Sequence, residues 1–105
     1  MVAELYRYQF DKGLPADEVG ATLILALLGA EALHGAAQTR LDAAHTFDAR
    51  ARAVTIDAGT PVGRDLNRLF IGFVTREFGP DAVRVTRRPM PPPRARARRT
   101  EPVTA

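Results

Sequence analysis

The residues best suited to chemistry are few and poorly grouped. His34 and His45 are the two histidines of the chain. Neither sits in a His-x-x-x-His or His-Glu-x-x-His frame that would aim two ligands at one metal ion, and no acidic calcium loop occurs. His45-Thr46-Phe47-Asp48 sets a histidine and an aspartate three residues apart, which on a strand turns them to opposite faces. Serine and cysteine are absent altogether. That leaves the threonines and Lys12 as nucleophiles without a placed base. No metal and no cofactor are expected, and the chain reads as non-catalytic.

Two sites offer weaker chemistry. Asp57 ends a β-branched stretch just before Ala58-Gly59-Thr60-Pro61, where a carboxylate accepts turn N–H groups or positions a ligand. Gly59-Thr60-Pro61-Val62-Gly63-Arg64 superficially evokes a phosphate-binding loop. It lacks the Gly-Lys-Ser/Thr ending, and Pro61 removes one N–H donor. Arg64 and Arg68, one helical turn apart, are the candidate anion contacts; the simpler reading is two arginines on a solvated face.

Charge is unevenly placed. Residues 1–86 carry a net of −2 and residues 87–105 a net of +5, which together give the +3 of the chain. The basic pI therefore arises from the C-terminal stretch, where Arg94, Arg96, Arg98 and Arg99 are candidate nucleic-acid contacts of a non-specific, salt-sensitive kind. A sheet-face RNA site would need exposed aromatics on the first and third strands. The third strand instead turns Thr55 and Asp57 outward, so that reading fails on residue type.

The elements that would position these residues follow from periodicity. Leu5 to Phe10 alternates, with Tyr6, Tyr8 and Phe10 on one face. Pro15 opens a helix over Ala16–His34, with Asp17 and Glu18 in its first turn and Gly35 at its end. Its apolar arc is broad, since Leu25, Leu28 and Leu33 widen the stripe of Val19, Leu23, Leu27 and Ala30. The pattern suits burial under a sheet or contact with another subunit. Gln38 to Asp48 alternates as a second strand, and Ala53–Ala58 as a third that buries Val54 and Ile56. Thr60 and Pro61 start a second helix, which carries Val62, Leu66, Leu69, Phe70 and Phe73 inward and stops at Gly79-Pro80. Ala82 to Arg88 is a fourth strand burying Val83 and Val85.

The order is β-α-β-β-α-β over one α+β domain, residues 1–88. This is the ferredoxin-like pattern of a four-stranded antiparallel sheet with two helices on one face. Residues 89–105 read as a Pro/Arg-rich disordered tail. With 46% apolar residues and no cysteine, the chain has the composition of a globular protein without disulfides. No basic leader precedes Leu5, and no apolar run approaches the length of a bilayer span. A cytoplasmic protein with no membrane partner is expected.

The Ile56-Asp57 strand, the Gly59-Thr60 turn and the helix ending Glu77-Phe78-Gly79 together are similar to part of STAS-like regulatory domains. The β-α-β before them does not follow that pattern, so no residue role is carried over. On the second helix, Ile71, Val74 and Phe78 lie away from the main stripe and form the expected interface. The functional expectation is a protein-interaction or regulatory module, a homo-oligomer or an assembly subunit. The alternative is a nucleic-acid accessory protein acting through its arginine tail.

Overall fold

Tyr6, Tyr8 and Phe10 face the same way along the first strand, and the rest of the fold is laid against that side. The computed structural model describes residues 4–89. It runs β1 (Glu4–Phe10), α1 (Ala16–His34), α2 (Ala36–Asp42), β2 (His45–Asp48), β3 (Ala53–Asp57), α3 (Pro61–Phe78) and β4 (Val83–Pro89). The strands form one sheet in the order β2-β3-β1-β4, with each neighbouring pair antiparallel. The architecture is therefore α+β, a four-stranded antiparallel sheet with three helices. Met90 to Pro93 and the arginines at 94, 96, 98 and 99 lie outside the described residues. β4 reaches Pro89, one residue into the stretch assigned to the tail; an edge strand tolerates the missing N–H.

Register decides what is buried. Tyr6 pairs with Ile56 and Tyr8 with Val54, so these side chains share the face that α1 and α3 cover. Phe70 of α3 meets Tyr8 edge-on with ring centroids 5.2 Å apart, and Phe47 stacks on Phe10 at 6.2 Å. The Tyr8 hydroxyl donates to Asn67 Oδ1, tying β1 to α3. The two long helices run antiparallel. Thr22 Oγ1 donates to Glu77 Oε1 at one end of their contact, and His34 Nε2 lies 2.8 Å from Asp65 Oδ2 at the other.

The helix ends follow their sequence signals. Thr60 caps α3, its Oγ1 accepting the Gly63 N–H at 2.9 Å, with Pro61 next. Gly35 and Gly79 close α1 and α3 at φ 87° and 99°, values that favour glycine over any side chain.

Two expectations are corrected. Gln38–Asp42 is helical, not part of a strand; β2 spans His45–Asp48 alone. Ala36, Ala37, Gln38, Arg40 and Leu41 have high helix propensity. Gln38 Nε2 also reaches Asp42 Oδ2 at 2.6 Å, a one-turn pair that alternation disguises. The open sheet face carries Arg7, Gln9, Thr55 and Arg84. Val85 is 46% exposed, because β4 is an edge strand that packs on β1 and contacts the helices little. The Asp48–Arg52 loop also does more than join two strands. Arg52 takes φ 56°, and its guanidinium donates to the carbonyls of Asp11, Lys12 and Leu14. It thereby clamps the β1–α1 connection onto the β2–β3 hairpin.

Candidate functional site

The turn after β3 is filled by its own atoms. Asp57 Oδ1 accepts the N–H of Gly59 at 2.9 Å and the N–H of Glu4 at 3.0 Å, so the carboxylate closes the turn and fastens the start of β1. The Gly63 N–H goes to Thr60 Oγ1 and the Arg64 N–H to the Thr60 carbonyl. Thr60 Oγ1 in turn donates to the Asp42 carbonyl, 2.9 Å away. With Pro61 carrying no N–H, few donors remain for an anion. A Cβ on Gly63 would stand 2.0 Å from the Asp57 carbonyl oxygen, so the first turn of α3 presses directly on β3.

The candidate anion contacts do not converge on that turn. Arg68 Nη1 lies 3.7 Å from Asp65 Oδ1, while Arg64 is exposed. Asp65 sets a carboxylate beside Arg68, which opposes an anion there. The histidines are used structurally. His34 donates from Nε2 to Asp65, and His45 donates from Nδ1 to the Ala43 carbonyl at 2.6 Å, since neither acceptor carries a proton to give. Among the described residues, no three His, Asp or Glu side chains group as metal ligands.

The expected interface on α3 is placed differently. Val74 is 0% exposed and belongs to the core beside Val62, Leu66 and Phe70. Four residues turn a helix by about 400°, so the series 62, 66, 70, 74 drifts about 40° at each step. The buried arc of α3 therefore sweeps round to Val74 as the helix crosses the sheet. Ile71 and Phe78 are half-buried and pack against the same core.

A run of uncovered apolar side chains lies on α1. Val19, Leu23, Ala26 and Ala30 are buried, yet Ile24, Leu25 and Leu28 on the opposite side are 60%, 53% and 55% exposed. Ala21 and Ala32 are exposed along the same outward stripe. No charged residue occurs between Glu18 and Glu31. A helix apolar on both sides is ordinarily buried on both sides. Beside the stripe an open groove of about 490 Å³ runs between α1 and β2, lined by Ala21, Ile24, Leu27 and Phe47 with Asp17 and His45. Gly20 allows that proximity, because a Cβ there would lie 3.3 Å from the Phe47 ring. The breadth of the apolar arc is visible in the sequence; which half the sheet covers is not.

Outside α1, Leu41 of α2 and Val85 of β4 are also exposed, at 77% and 46%, while the open sheet face is polar. On the open sheet face Arg7 Nη1 donates to Gln9 Oε1 at 2.6 Å, and Gln9 Nε2 donates to the Ala51 carbonyl at 2.6 Å. Among the described residues, no helix is long and apolar enough to cross a membrane. No family model, curated protein or solved structure matches this chain.

Proposed function

We propose that this chain is a small non-catalytic protein-interaction module, an assembly subunit whose contact surface is the outer face of α1. One observation carries this reading. Ile24, Leu25 and Leu28 are each more than half exposed on a helix whose other side is already in the core. Exposing such a contiguous apolar stripe costs solubility and is relieved when a second surface covers it. The flanking charges favour protein over lipid. Asp17, Glu18 and Glu31 border the stripe, whereas helices that lie on anionic membrane surfaces are bordered by Lys and Arg. The ferredoxin-like reading of the fold rests on the β2-β3-β1-β4 order and the crossovers through α1 and α3, with α2 as an addition. The cytoplasmic reading rests on the sequence alone.

The test is the native mass of the protein isolated from the cells that make it. The wild-type chain is expected in a particle heavier than one 11.4 kDa chain. A Leu25→Glu/Leu28→Glu variant with unchanged circular dichroism is expected to leave that particle. Recovery of the wild-type protein as a lone chain overturns the reading.

The second reading, nucleic-acid binding through Arg94, Arg96, Arg98 and Arg99, is supported by the +5 balance of residues 87–105. It requires affinity that falls steeply with salt and vanishes on deletion of residues 90–105; binding unchanged by that deletion overturns it.

A further inference from the structure

The outer stripe of α1 reads the same in both directions. Ala21, Leu25, Leu28 and Ala32 are spaced four, three and four apart, the seam spacing of a coiled coil. Reversing the helix returns Ala, Leu, Leu, Ala at the same intervals. A two-fold axis midway between Leu25 and Leu28 would therefore pair leucine with leucine at the centre and alanine with alanine at the ends, since in an isologous contact residue i meets j and j meets i. We propose, resting on the interaction reading above, that the partner covering this stripe is a second copy of the chain, with the two α1 helices packed antiparallel. Leu25 then meets Leu28 of the other copy on either side of the axis, and Ala21 meets Ala32 at the two ends. The alanines let the helix backbones approach closely, while the leucines fill the centre.

Charge selects the same orientation. The N-terminal end of α1 carries Asp17 and Glu18, while its C-terminal end adjoins the exposed Arg40 of α2. Antiparallel packing sets the acidic end of each helix toward the partner's Arg40 end, and opposes the helix dipoles favourably. Parallel packing would stack Asp17, Glu18 and Glu31 on their own copies. A contact made by one helix per copy sits at the small end of stable interfaces, about 1,200 Å² in total or below. Dissociation in the micromolar range follows.

The purified full chain, with no other protein present, tests this by sedimentation and by cross-linking. Its mass is expected to rise from 11.4 kDa to twice that value across micromolar concentrations. Leu28→Glu is expected to hold it at the single-chain mass with circular dichroism unchanged; Ala21→Glu gives the same readout should Leu28→Glu misfold. The natural sequence has no cysteine, so introduced thiols report cleanly. In an oxidised mixture of Ala21→Cys and Ala32→Cys chains, the mixed dimer is expected to exceed either self-linked dimer roughly tenfold, a preference of about 1.4 kcal/mol. Dominant self-linking of Ala21→Cys overturns the antiparallel arrangement. A single-chain mass at every concentration overturns self-pairing. If the particle isolated from cells is nevertheless heavier, the interaction reading stands with a different protein as partner.

Discussion

At the scale of single residues, Gly63 carries the sharpest constraint. Its missing side chain lets the first turn of α3 press on the end of β3, where a Cβ would stand 2.0 Å from the Asp57 carbonyl oxygen and 3.0 Å from Thr60 Oγ1. Both neighbours are fixed, one by the sheet and the other by its bonds to the Gly63 N–H and the Asp42 carbonyl. Gly63→Ala is therefore expected to cost about 3 kcal/mol or more, as overpacking against backbone does. Gly72, further along the same helix, has open space around it. Gly72→Ala is expected to stabilise by about 0.5–1 kcal/mol through helix propensity. Urea denaturation of the two variants checks both signs at once, and equal effects would contradict the geometry. Asp57 and Thr60 belong to the same knot, and their hydrogen bonds explain why a loop with the look of a ligand cradle works as a joint.

At the scale of elements, most of the fold was legible in the chain. Tyr6-x-Tyr8-x-Phe10 announces a strand with one buried face, Thr60-Pro61 a helix start, and Gly35 and Gly79 two helix ends, because each signal is local. Alternation from Gln38 to Asp48 misled, since Ala36–Asp42 satisfies a helical turn and an alternating pattern together, and only the Gln38–Asp42 pair decides between them. Val74 and Val85 misled for a non-local reason. Burial there depends on how far α3 sweeps over the sheet and on β4 being an edge strand, which no window of sequence contains. The Arg52 clamp was equally hidden, because a guanidinium reaching carbonyls about forty positions earlier leaves no periodic trace.

One tie between elements predicts a pH response. Burial of Tyr8, 2% exposed between β1 and α3, holds its phenol above the usual range despite the Asn67 hydrogen bond. A pKa raised in the folded chain means the folded state holds that proton more tightly than the unfolded state. The stability it contributes is full below about pH 10 and is lost as pH climbs from there toward the folded value. In a Tyr6→Phe background Tyr8 is the sole tyrosine. Its phenolate absorbance is expected to emerge only with unfolding at high pH; a normal titration in the folded chain would contradict the burial.

At the scale of the whole molecule, the distribution of polarity is lopsided. The open sheet face is hydrophilic with Arg7, Gln9, Thr55 and Arg84, and α3 is amphipathic with its apolar arc inward. Among the described residues, α1 alone of the helices shows large aliphatic side chains on both sides, and a domain of this size gains little from exposing them. The candidate surface was half legible. The composition of Ala16–His34 gave the excess of leucine, but folding was needed to show that Leu23 turns inward while Ile24, Leu25 and Leu28 turn out. In the working protein a second surface is expected to cover this stripe. Ala32 lies on it, and alanine to cysteine is a small change in a chain with no cysteine of its own. The direct measurement is the alkylation rate of Ala32→Cys in the native particle, set against Arg76→Cys on the exposed side of α3. Alkylation of Ala32→Cys is expected to be slowed roughly tenfold or more relative to Arg76→Cys, matching a surface occupied over about 90% of the time, with the difference abolished in denaturant. Equal rates for the two thiols in the native particle would contradict it.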